Sequence, residues 1–127
     1  SPYLPSGAVG TKDCFRIDLD DYKVRLVARW GQIRFLEPGE EMSLFWQMPS
    51  DDPERSGPLF TLGSDLQSVT CGGLYHRMAE FIHWHRALID SECSLYFYVS
   101  FSLHPAEITS ELSVDDIQKI LEDQDVA

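Results

Sequence analysis

His76, Glu80 and His83 are spaced four and three residues apart, so a helix through them carries two imidazoles and a carboxylate on one face. Such groups are competent zinc ligands and acid/base partners. The plainer reading is a solvated face, because an open helix surface supplies no enclosing walls or supporting hydrogen bonds to fix ligands. His85 falls instead within the apolar stripe of the same segment and is expected in the core, neutral and hydrogen-bonded. Cys71, ahead of Gly72-Gly73 and five residues before His76, is a conceivable thiol nucleophile. The HEXXH zincin pattern, the GxSxG nucleophile elbow and the glycine-rich nucleotide loops are absent. The sequence therefore assigns no catalytic residue, no metal ligand and no cofactor.

Charge is the more informative signal. The chain has 127 residues, a net charge of −11 and a pI near 4.5, which disfavours nucleic acid and anionic membrane and favours a basic protein partner. The acidity is uneven: residues 92–127 hold eight acids against one base. Glu107, Glu111, Asp115, Asp116, Glu122 and Asp123 are the candidate partner-binding carboxylates. Tyr96 and Tyr98, on one side of a predicted strand, are candidate aromatic contacts, since tyrosine is enriched in interface hot spots. Lys23, Arg25 and Arg29 share one face of another predicted strand, where they can pair with acids across the sheet.

The elements that must position these residues follow from periodicity. Residues 1–12, with two prolines and two glycines, read as an irregular arm. Phe15, Ile17 and Leu19 alternate with polar residues, as do Tyr22, Val24, Leu26, Ala28 and Trp30 after a turn at Asp20-Asp21. Both runs are predicted strands of a hairpin. Residues 32–37 and 42–48 continue the meander, and 49–58 form a polar loop bracketed by prolines. A short strand over 59–62 precedes a helix capped by Ser64 or Asp65 and interrupted at Gly72-Gly73.

Apolar residues at three- and four-residue spacing predict the main helix over 74–89. Strict alternation predicts a long central strand over 95–103, and Pro105 opens a helical turn reaching Leu112. Ser113 with Asp116 resembles a capping box for a terminal helix, which frays from Asp123. The expected fold is α+β, an antiparallel meander of about five to six strands with two main helices packed on one face. Residues 1–127 form one domain, with 43% hydrophobic residues to fill its core.

The odd count of Cys14, Cys71 and Cys93, without CxxC spacing, points away from a disulfide framework and toward a reducing, cytoplasmic setting, with one disulfide plus one free thiol as the alternative. No signal-peptide pattern or membrane span is recognisable, and Ser in place of Met at position 1 points to a trimmed terminus.

Small size, strong acidity, an α+β pattern and no catalytic motif resemble, in general character, the bacterial immunity proteins that neutralise toxins of contact-dependent or type VI systems. That resemblance implies a cytoplasmic inhibitor that binds a basic toxin such as a nuclease, and it transfers no functional residue. An acidic secretion chaperone, another regulatory domain or a homodimer is the alternative binding reading. A small enzyme or metal site on the His76/Glu80/His83 face is the catalytic one.

Overall fold

A computed structural model describes residues 6–11, 16–99 and 105–126, and excludes the side chains of 6–11, 98, 99, 125 and 126. The architecture is α+β. Seven strands form one antiparallel sheet in the order β2-β3-β4-β5-β1-β6-β7. They are β1 (Ser6–Thr11), β2 (Arg34–Leu36), β3 (Met42–Gln47), β4 (Leu59–Gly63), β5 (Val69–Gly72), β6 (Leu95–Val99) and β7 (Ala106–Glu107). The helices are α1 (Leu19–Trp30), α2 (Tyr75–Leu88) and α3 (Val114–Val126). Among the described residues no helix is long and apolar enough to cross a membrane.

Register gives the sheet one buried face. Leu44 stands opposite Leu62, Trp46 opposite Phe60, and Leu62 opposite Val69. Strand β1 carries that face onward, its position 9 pairing with both Val69 and Phe97. Leu44, Trp46, Phe60, Leu62, Val69 and Phe97 are all buried. Helices cover this face: Tyr22 of α1 lies 6.1 Å from Trp46, and Phe81 of α2 meets Phe60 edge to face at 4.7 Å. In α3, Ile117 and Leu121 are buried, and Gln124 Nε2 donates to the Phe97 carbonyl at 3.3 Å. The opposite face presents exposed Leu59, Thr70, Tyr96 and Glu107.

Residues 19–30 correct the expected hairpin, because they form helix α1. Burial takes Tyr22 and Leu26, a four-residue spacing, while Val24 is 69% exposed. The Asp18 side chain accepts the Asp21 N–H at 3.0 Å as the N-cap, and Gly31, at φ +76°, ends the helix. Phe15 lies outside the described residues.

Three further expectations change. Residues 6–11 are an interior strand and no irregular arm. The helix expected from Ser64 is a β4–β5 hairpin, in which Asp65 accepts the Gln67 and Ser68 N–H groups and closes the turn. Residues 106–107 pair with β6, where a helical turn was expected. The predicted long strand appears as β6 at residues 95–99, and its continuation through residue 104 lies outside the described residues. Helix α3 continues to Val126 past the expected fraying point.

The cysteine reading also changes. Cys93 is disulfide-bonded, whereas Cys71 is a free, buried thiol; Cys14 lies outside the described residues.

Candidate functional site

Helix α3 owes its start to a reciprocal cap. Ser113 Oγ accepts the Asp116 N–H at 3.1 Å, and Asp116 Oδ2 accepts the Ser113 N–H at 3.0 Å. The Ser113 N–H, and after it the Ser113 hydroxyl, hold the Asp116 carboxyl below the usual range. Asp116 is therefore part of the helix framework. Asp115, Glu122 and Asp123 are exposed along the outer stripe, opposite buried Ile117 and Leu121. Lys119 is the only base in that stripe. Glu111 is exposed in the turn leading into the helix.

The candidate carboxylates and tyrosines do not form one patch. Tyr96 pairs in register with Glu107, so these two stand side by side on the open sheet face. Helix α3 packs on the other face, against β6 and α2. The side chain of Tyr98 lies outside the described residues. The structure thus places Asp115, Glu122 and Asp123 on one face of α3, with Glu111 in the turn before it, and sets the α3 acids on the other side of the sheet from Tyr96 and Glu107.

Ion pairs among the described residues engage four acids outside the C-terminal segment. Asp21 pairs with Arg25, Asp51 and Glu80 with Arg77, Glu80 with Arg29, and Asp52 with Arg55. Among the described residues no ion pair engages Glu107, Glu111, Asp115, Glu122 or Asp123. The predicted basic row is absorbed in this local pairing: Arg25 and Arg29 meet acids, and Lys23 sits 5.7 Å from the Phe35 ring.

The His76/Glu80/His83 face does not converge on a metal. Glu80 is committed to Arg77 and Arg29, and both histidines are exposed. Among the described residues no group of three or more His, Cys, Asp or Glu side chains could hold a metal ion. His85 takes the core position expected of it, fully buried, with Nδ1 hydrogen-bonded to the Tyr22 hydroxyl at 2.9 Å. Burial, and then the Arg86 charge, push its pKa down to about 3, so the imidazole is neutral. Burial likewise pushes the Cys71 thiol up to about 12, which removes the thiolate that nucleophilic chemistry requires.

Arg86 is a buried cation that sequence reasoning missed. Its guanidinium donates to the carbonyls of Ile89, Asp90, Ser91 and Cys93 at 3.1 to 3.4 Å. The carbonyls at the end of α2 and the turn into Cys93 thus receive a positive charge suited to the helix dipole. The sequence signal was an arginine beside His85 in the last turn of the helix.

Comparison of the chain with protein-family models, curated proteins and solved structures gives no match.

Proposed function

We propose that this chain is a protein-binding domain whose acidic α3 stripe engages a basic protein. In its most specific form it is an immunity protein that neutralises a basic toxin such as a nuclease. One observation carries the reading: Asp115, Glu122 and Asp123 are exposed on one face of α3, Glu111 is exposed in the turn before it, and among the described residues no ion pair engages any of them. These carboxylates attract a basic surface over a Debye length and then accept its guanidinium donors, Glu122 exchanging its bond from Gln118 Nε2 for a charged donor. The disulfide at Cys93 favours an oxidising compartment over the expected cytoplasm for this encounter.

The test is simultaneous replacement of Glu111, Asp115, Glu122 and Asp123 by Lys, leaving Asp116 to cap the helix. The partner is first recovered by low-salt capture from the native source. Stopped-flow association with the variant is expected to be slower by roughly tenfold or more, with the difference shrinking as salt is added. An unchanged far-ultraviolet spectrum would show that the fold survives. Equal association rates for the two proteins would overturn the assignment.

A further inference from the structure

Helix α1, the 49–58 loop and the start of α2 enclose a cleft of about 260 Å³. Trp30, Met48, Phe60 and Phe81 form its apolar floor, with Trp30 and Phe81 5.9 Å apart between ring centroids. Leu74, 52% exposed, extends apolar surface to the mouth. The volume lies just under the roughly 300–1,000 Å³ of pockets for drug-sized ligands, which suits a molecule of one ring or one branched chain.

The rim is held in place before any ligand arrives. A Cβ at Gly57 would meet the Met48 carbonyl oxygen at 1.7 Å, so only glycine lets the loop return this closely to β3. The Met48 N–H donates to the Pro58 carbonyl at 2.9 Å, and Gln47 Nε2 donates to the Gly57 carbonyl at 3.1 Å.

Hydrogen-bonding capacity at the mouth is lopsided. Both Asp51 carboxylate oxygens accept from Arg77, at 2.6 and 2.7 Å. Asp52 Oδ1 accepts the Glu54 N–H at 2.9 Å, and Oδ2 lies 3.6 Å from Arg55 Nε. Ser50 Oγ donates to the Asp52 carbonyl and accepts the Asp52 N–H. The largest spare capacity is that of a donor, the Arg55 guanidinium, 81% exposed with that single loose contact; the Ser56 hydroxyl beside it can donate or accept. An exposed guanidinium with most of its donors spare favours a ligand that brings its own acceptor.

We propose that this cleft binds a small amphipathic carboxylate, its apolar body on the Trp30–Phe60–Phe81 floor and its carboxylate received by Arg55 and Ser56. The site is independent of the acidic stripe on α3, and either can stand without the other. An Arg–carboxylate pair at the mouth adds charge-assisted bonds that a neutral alcohol cannot match.

A heteronuclear NMR titration of the full chain with phenylpropionate, phenylpropanol and phenylethylamine tests this. Phenylpropionate is expected to shift the Gly73 and Arg55 amides and the Trp30 indole N–H saturably, with affinity about tenfold above that of phenylpropanol. Arg55→Gln, a substitution at an exposed position, should remove the advantage of the acid while leaving phenylpropanol binding unchanged. Absence of saturable shifts with the acid would overturn the proposal. So would equal affinity for acid and amine, or an acid preference that survives Arg55→Gln.

Discussion

Tyr22 and His85 show how a polar pair from distant segments is accommodated in an aromatic core. The His85 ring stacks on Phe81 with an interplanar angle of 21°, while Nδ1 bonds to the Tyr22 hydroxyl. An unfolded histidine takes up its proton near pH 6.5, but folded His85 does so only near 3. Between those values the unfolded chain binds the additional proton. The stability contributed by neutral His85 is therefore full above pH 6.5 and is lost as pH falls toward 3. His85→Gln is expected to flatten the stability–pH slope in that window by about 1.4 kcal/mol per pH unit, the value for one proton. Urea unfolding at a series of pH values measures it, and an unaltered slope would contradict the burial argument. Cys71 makes a second residue-scale prediction. With its thiol buried and its pKa near 12, an aromatic disulfide reagent at mildly alkaline pH should label it only as fast as the protein opens. Rapid native labelling would return Cys71 to the candidate nucleophiles.

At the scale of elements, legibility depended on whether one periodicity excluded the other. Helix α2 was visible because Met78, Phe81, Ile82 and His85 fit only a helical stripe, and all four are buried. Strand β3 was visible because Leu44, Trp46 and Met48 alternate. Helix α1 was not, because Tyr22, Leu26 and Trp30 satisfy period two and period four alike. Val24 and Ala28 completed the alternating row and tilted the reading toward strand, although Val24 is exposed in the helix. Its punctuation was nonetheless present, in Asp18, the following Asp20-Asp21 and Gly31. The same punctuation identified α3 correctly, and its cap can be tested directly. Ser113→Ala removes the acceptor for the Asp116 N–H and is expected to cost about 1 kcal/mol of stability. A thermal unfolding midpoint equal to that of the parent would show that the cap contributes nothing.

At the scale of the whole molecule, the acidic stripe and the apolar cleft differ in how the sequence encodes them. The acids of the stripe come from one short segment and were readable as a concentration of charge, whereas their sharing of one face of α3 was not read from the sequence. The cleft joins Trp30, the 49–58 loop and the start of α2, and no local spacing announces three segments that meet only through the sheet. The division of Tyr96 and Glu107 from the α3 acids was hidden for the same reason, since it depends on which face of β6 the helix covers. The position of β1 has a consequence for the order in which this sheet can assemble. Gly7 is paired with Cys71 on one side and Val99 on the other. During translation β1 leaves the ribosome ahead of both neighbours and waits through synthesis of α1 and the β2–β5 meander. Until β6 emerges, the sheet has a vacant edge at its middle, and closure is a late, long-range event of the kind that slows folding. A chain lacking β1 would hold two unconnected pieces of sheet, β2–β5 and β6–β7, with a slot of one strand's width between them. A separate peptide with the β1 sequence is the natural occupant of that slot, which makes this fold a candidate for strand complementation in trans.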